Sequence, residues 1–298
     1  WRHRSQTTGG GKAAPAPLLR SLRLVSLGAL IAAPGAHAQT MRDFDYSRSL
    51  RGERQLRAVV EFAAGRLVVR PGPANRLYGV VLQYDADRFS PLGHYNAQAA
   101  EVRLGVRATG SGGIRVDRRR ALPQTAVVEF PASVNLALDV SMGAAEGTLE
   151  LGGLRLAELD LKTGASRTTV SFERPNAGSC RSAAVAAGAG ELNISSAGNS
   201  GCREWRFEGG VGAVTFDLGG AWPADPRMVL NMALGGVTLR APKDLGLKVT
   251  MSGFLAGFTA KGFTKSGKTW TSTNYAAAKR RMEIEVNSAI GGVSVEWR

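Results

Sequence analysis

Four segments of this chain read Leu161–Val170 (LKTGASRTTV), Val185–Ile194 (VAAGAGELNI), Phe207–Phe216 (FEGGVGAVTF) and Leu230–Leu239 (LNMALGGVTL). Each opens on an apolar residue, carries Gly or Ser five positions later, and has apolar residues at positions seven and nine, with Thr168 the one departure. Three more copies are Val60/Gly65/Leu67/Val69, Met142/Gly147/Leu149/Leu151 and Val286/Gly291/Val293/Val295. From residue 147 the small residue recurs at 166, 190, 212 and 235, in steps of 19, 24, 22 and 23. Self-similarity at such a period marks a repeat architecture, in which each unit buries its apolar face only by stacking on its neighbours. Positions seven and nine share one face of a strand, and the small residue before them suits a corner where a side chain would crowd the turn. The spacing therefore predicts an all-β chain, a β-solenoid with coils of about 22 residues. A sandwich whose strands fall at regular intervals is the competing architecture. The structural glycines of the solenoid are Gly65, Gly147, Gly190, Gly212, Gly235 and Gly291.

The two cysteines turn the period into a distance. Cys180 and Cys202 each lie ten residues before the glycine of their own coil, Gly190 and Gly212, so they hold the same place in successive coils. Stacked strands run about 4.8 Å apart, near the Cα separation that a disulfide accepts. A Cys180–Cys202 disulfide is expected.

Around this centre, 38 glycines against 7% aromatic residues favour turns and strands over helices. The first residues read as an export signal. A polar lead with Arg2, Arg4, Lys12, Arg20 and Arg23 precedes the apolar run 24–33, and Ala36-His37-Ala38 follows as a cleavage site. Pro34 ends that run at about half the roughly 20 residues a membrane-spanning helix needs, so a stable transmembrane anchor is the weaker reading. The glycine-rich lead from Trp1 suggests a fragment or a mis-set start. The net charge of +14 includes five basic and no acidic residues of the signal, so residues 39–298 remain basic at +9. Such a surface suits anionic polymers or lipid head groups as readily as plain solvation.

Domain organisation follows. Residues 1–38 are the signal peptide. Residues 39–133 are an N-terminal lead-in (Met41–Arg57) and an antiparallel β subdomain, with alternating runs at 77–84, 100–108 and 114–118. Residues 134–298 are the solenoid, with an excursion over 247–281, a short helix over Tyr275–Met282, and the last copy of the pattern capping the stack.

Motifs that could carry chemistry fail on context. Gly262–Thr269 matches a phosphate-binding loop, but the β-favouring run Trp270–Thr273 follows where a helix must open. Lys162-Thr163-Gly164 has no Ser-x-x-Lys to accompany it, and Gly209–Gly212 lacks the aspartate of a calcium β-roll. His94, in a turn-like segment 91–96, is the one histidine beyond the signal, and no Cys/His cluster suits zinc. No cofactor and no metal site are expected. Acid–base work would fall to Asp139, Glu150, Asp160 and Asp217, in or beside coil strands as in polysaccharide-cleaving solenoid enzymes. Outward carboxylates on strands more often protect edges and confer solubility. Two basic runs, Arg118-Arg119-Arg120 and Lys279-Arg280-Arg281, are candidate contacts for a polyanion, while nucleic acid is disfavoured because no stacking aromatics accompany them.

The segment from Leu230 resembles the LiaF-like family of bacterial cell-wall-active antibiotic response proteins. The likeness rests on Met232–Pro242 (MALGGVTLRAP), Leu245-Gly246, Ser272–Tyr275 (STNY) and Ile290–Val295 (IGGVSV). The glycine-rich coils before it resemble the related toast-rack and adhesin domains. What the resemblance implies is a β-solenoid at the cell envelope, in some members tied to sensing envelope stress. The function expected is thus a non-enzymatic exported interaction or scaffold protein of the periplasm or cell surface. Its partner would be a protein or an anionic envelope polymer. The alternative is a carbohydrate-active enzyme on the same scaffold.

Overall fold

The spacing of the repeat contains a conflict that the fold resolves. A strand places alternate residues on one face, so apolar residues at positions zero and seven should point to opposite sides. In the computed structural model, which describes residues 40–110, 123–223 and 226–298, the conflict disappears because each copy is one long strand that turns a corner at its middle. In the strand Arg227–Ala241 the buried residues are Met228, Leu230 and Met232 before the corner and Val237, Leu239 and Ala241 after it. The parity flips at Gly235, whose φ of 137° only glycine adopts readily. Both arms of the strand thus send their apolar side chains inward.

The described strands are β1 (Met41–Ser49), β2 (Gln55–Pro71), β3 (Arg76–Asp85), β4 (Phe89–Asn96), β5 (Glu101–Ala108), β6 (Thr125–Phe130), β7 (Asn135–Glu150), β8 (Arg155–Ser171), β9 (Cys180–Ser195), β10 (Cys202–Asp217), β11 (Arg227–Ala241), β12 (Leu245–Ala260), β13 (Phe263–Ser266), β14 (Thr269–Ser272) and β15 (Arg280–Trp297). The stack runs β2-β7-β8-β9-β10-β11-β15-β12, parallel throughout. This is the solenoid that the repeat predicts, its coils stacked in register. The antiparallel N-terminal strands are present as β1-β3-β6 and β4-β5. They join the stack directly: β5 pairs with the first arm of β2 and β6 with the second. The sheet runs across residues 133/134, since β2 pairs with β7 over nearly its whole length, and Gln39–Arg298 forms one compact unit.

The interior is a continuous apolar column. Trp205, 2% exposed, meets Phe172 and Phe216 edge-on with ring centroids 6.2 and 5.9 Å apart, and Phe207 meets Phe216 at 5.8 Å. Edge-to-face pairs of this kind add about 0.5–1.5 kcal/mol each beyond the area they bury. Loops between coils are tied by side-chain amides. Asn199 donates to the Phe172 carbonyl at 2.9 Å and accepts from the Ala221 N–H at 3.0 Å, and Asn176 bonds both backbone groups of Leu156.

The glycine corners form a column along the stack. A Cβ on Gly212 would run into the carbonyl oxygen of Gly190, and one on Gly235 into that of Gly212. Gly65, Gly190 and Gly291 share the positive φ, whereas Gly147 does not. Gly147 pairs with Leu67 and Thr168, two places beyond the corner, and the corner residue of β7 is Ala145, opposite Gly65. The copy beginning at Met142 is therefore two residues out of register, and the in-register copy begins at Val140. Gly147 has its own cause: the Met142 side chain folds into that space, its Sδ and Cε 2.8 and 2.6 Å from where a Cβ would stand.

Several local expectations are corrected. Met41–Ser49 is a strand, not a lead-in: it pairs with β3, and Phe44 stacks on Tyr46, which packs on Tyr78, despite the charges between them. Segment 91–96 lies in β4, not in a turn. Residues 273–277 form a turn, and no helix occurs over 275–282. The final copy does not cap the stack. β15 lies between β11 and β12, so the earlier strand β12, with the β13-β14 hairpin, ends it. The run 114–118 lies outside the described residues.

Candidate functional site

Close to the corner, the outward residues of successive strands fall in register and form an open groove of about 1120 Å³ that runs from β2 and β5 to β15. Its floor is Ala63, Gly143, Gly164, Gly188, Gly210 and Ala233, one per coil and three positions after the first apolar residue of the in-register repeat. Here too the chain packs tightly along the stack: a Cβ on Gly164 would stand 2.9 Å from the Gly143 oxygen, and one on Gly188 3.0 Å from the Gly164 oxygen. The small residues thus serve coil spacing, and they leave a shallow floor. This second column of small residues is legible in the sequence as Gly or Ala at position three, a signal masked by the stronger one at position five.

The groove carries few charges, and all but Glu208 are matched. At its β5 end the Arg107 guanidinium donates to both oxygens of Glu61, at 2.7 and 2.6 Å. That fork holds the Glu61 carboxyl below the ordinary carboxylate range and raises Arg107 in turn. A carboxylate so held is a poor proton donor. Lys162 donates to Asp160 at 2.9 Å. Further along, Glu208, Asn231 and Asn287 line the groove, and Asn287 donates to Asn231 across the β11–β15 pair at 2.9 Å.

Of the four carboxylates singled out for acid–base work, Asp139 and Asp160 come together, and Glu150 and Asp217 do not join them. Asp139 and Asp160 are register partners on β7 and β8, which places them about one strand spacing apart on the outer face. Asp139 is bound by Arg57 at 2.6 Å and Asp160 by Lys162. Glu150 ends β7 on the other arm. Asp217 accepts from the backbone N–H groups of Gly219 and Ser196 and from Arg298, and so serves as a loop anchor. His94 is exposed on β4. Among the described residues no cluster of three or more His, Cys, Asp or Glu could hold a metal ion. The loop-like motif 262–269 is the β13-β14 hairpin, with Gly267 at its turn, and no helix opens from it.

Of the basic runs, Arg118–Arg120 lie outside the described residues. Lys279 is exposed, whereas the other two fasten loops: Arg280 donates to the Trp222 carbonyl, and Arg281 donates to the Ala276 carbonyl and lies over the Tyr275 ring. None of the three lines the groove. The cysteines stand as register partners on β9 and β10 and are joined, Cα atoms 4.2 Å apart. They are the first residues of their strands and do not line the groove.

Residues 36–195 match the family model described as the N-terminal domain of toast_rack, DUF2154. The chain belongs to the toast-rack family. In this toast-rack chain the match spans the first four coils, β2, β7, β8 and β9, and ends before the segment from Leu230 that resembles the LiaF-like family. None of the curated proteins compared with the chain matches it. Among solved structures, a proposed cell adhesion protein of Clostridium sporogenes is similar at 14% identity, over 87% of this chain and 100% of that one, with a TM-score of 0.47. A proposed adhesin of Bacteroides fragilis is similar at 10% identity, over 87% of this chain and 98% of that one, with a TM-score of 0.38.

Proposed function

We propose that this toast-rack chain is a non-enzymatic interaction module of the bacterial cell envelope, exported and oxidised, that holds an extended partner along the groove. The observation that carries this reading is the groove itself: it crosses successive coils, its floor is small side chains and backbone, and its charges are paired within the protein except for the carboxylate of Glu208. A surface of that kind suits a chain laid along it, read by shape and by polar contacts such as those of Asn231 and Asn287. The paired charges and the one unmatched carboxylate, Glu208, favour an extended protein segment over an anionic polymer. The export signal expected over residues 1–38 and the Cys180–Cys202 disulfide support an oxidising compartment outside the cytoplasm. A role in adhesion or in the response to envelope stress remains part of this proposal.

The test is to fill the groove without touching the stack. Ala186 faces it from β9, and Ala186→Trp adds bulk over the floor. Cross-linking in whole envelopes should give adducts with the parent chain that Ala186→Trp loses, while peptidoglycan and anionic polymer bind both equally. Adducts unchanged by the substitution would refute the groove as the site. The carbohydrate-active alternative rests on Asp139 and Asp160, and turnover of envelope glycans abolished by Asp139→Asn would establish it instead.

A further inference from the structure

Six large apolar side chains are exposed among the described residues: Val81, Val211, Leu234, Phe254, Leu255 and Ile290. Five of them lie on one line. Val211, Leu234, Ile290 and Leu255 are register partners at the corners of β10, β11, β15 and β12, and Phe254, 88% exposed, adjoins Leu255. The same line continues toward β8 as Ala189 and Ala165, so the side chains grow in size toward the β12 end. With strands about 4.8 Å apart, the four large corners span about 14 Å. The line follows the convex corner of the stack, and its neighbours one or two places on, Ala213, Gly236 and Gly292, are small and uncharged. Clustered exposed apolar side chains of this kind mark an interaction site, whereas scattered ones need no explanation.

Charge says what covers it. Residues 243–281, which build the β12 end, contain eight Lys or Arg and the single acid Asp244. Lys265 and Lys268 form no ion pair among the described residues, and both belong to the β13-β14 hairpin that pairs with the arm of β12 leading to the ridge. The Lys268 carbonyl accepts from the Met251 N–H, three residues from Phe254. Lys265 lies over the Trp270 ring, which in turn packs on Phe258 of β12. Two copies meeting through this end would bring like charges together. A bilayer carrying anionic head groups offers both a plane that a convex ridge can enter and the opposite charge.

We infer that the corner ridge Val211–Leu234–Ile290–Leu255, with Phe254 at its tip, docks the protein onto an anionic lipid bilayer, the aliphatic and aromatic side chains entering the head-group layer and Lys265 and Lys268 contacting its phosphates. This contact is separate from the groove and does not depend on the groove's partner.

The test is co-sedimentation of the purified chain with phosphatidylcholine vesicles containing or lacking phosphatidylglycerol. The parent should partition onto the anionic vesicles. Combined Phe254→Ser, Leu255→Ser and Ile290→Ser should lower that partition by about tenfold or more, since each removes an apolar side chain from the lipid. Val81→Ser, on a different surface, should leave it unchanged. Replacing Lys265 and Lys268 by Ser should erase the preference for phosphatidylglycerol. A Phe254→Trp variant checks insertion without removing the contact: brominated acyl chains should quench its emission beyond that of the parent. Equal partition of the triple Ser variant and parent overturns the proposal, as does a Phe254→Trp emission that brominated lipid leaves untouched. A lipid-free dimer, seen by light scattering and dissolved by the triple variant, would instead assign the ridge to a second copy and overturn it too.

Discussion

Gly235 and Gly236 are neighbours in the chain, yet the stack treats them oppositely, which allows a paired experiment. At Gly235 the backbone has φ 137°, and an added Cβ would run into the Gly212 carbonyl oxygen of the coil below. At Gly236 φ is not positive, and the one heavy atom near an added Cβ is the Gly292 oxygen at 3.9 Å, an ordinary contact. For Gly235→Ala the strained backbone costs about 1–3 kcal/mol and displacing packed backbone about 1–3 kcal/mol more. Restricting the unfolded chain offsets about 0.4–1 kcal/mol of that, leaving a loss of about 1–5 kcal/mol. For Gly236→Ala only the last effect operates, so the change should lie between zero and about 1 kcal/mol of stabilisation. Urea denaturation of the two variants and the parent measures both. If Gly235→Ala comes within about 0.5 kcal/mol of Gly236→Ala, the corner column does not hold the coils in the way derived above.

The disulfide closes a separation of 22 residues, so its reduction should lower stability by about 3 kcal/mol, read as a shift of the denaturation midpoint with and without reductant; an unchanged midpoint in protein shown to be oxidised would contradict this. Asn199→Ala removes the donor to Phe172 and the acceptor from Ala221 and should cost about 1–3 kcal/mol in the same assay. Glu61, held by Arg107 below its ordinary value of 4.5, contributes stability that is present above that value and lost as pH falls through its lower folded-state pKa. Because both side chains are partly exposed, the effect is below about 1 kcal/mol. Glu61→Gln should therefore be less stable than the parent at neutral pH, with the difference closing in acid; a difference that persists unchanged at pH 2 would refute the assignment.

The architecture was legible because one residue type at one place has a geometric meaning. A glycine at position five, followed by apolar residues at seven and nine, is the record of a corner that flips which face looks inward, and the matched cysteines fix the register. What remained hidden is non-local. Glu61 and Arg107 are 46 residues apart and meet only because β5 pairs with β2. The insertion of β15 between β11 and β12 leaves no local trace, since each strand alone reads as another coil. Gly147 misled because it fits the spacing while answering a different demand, room for Met142. In β1, charges at Arg42, Asp43, Asp45 and Arg48 outweigh the alternation of Phe44 and Tyr46, although burial follows the latter. The ridge needed both the register, which aligns the corners, and the exposure of each corner residue.

Pulsed dipolar spectroscopy between spin labels reads the order and register of the stack directly. Thr148 on β7 and Ser294 on β15 lie on the outer face and are linked in register through Thr169, Asn193, Thr215 and Thr238, five strand steps. Their backbones should stand about 24 Å apart. Thr259 pairs with Ser294 from the far side, so the Thr148–Thr259 distance should be longer by one step, about 29 Å. A Thr148–Thr259 distance shorter than Thr148–Ser294, as coils stacked in chain order would give, would contradict the fold on which the groove and the ridge are built.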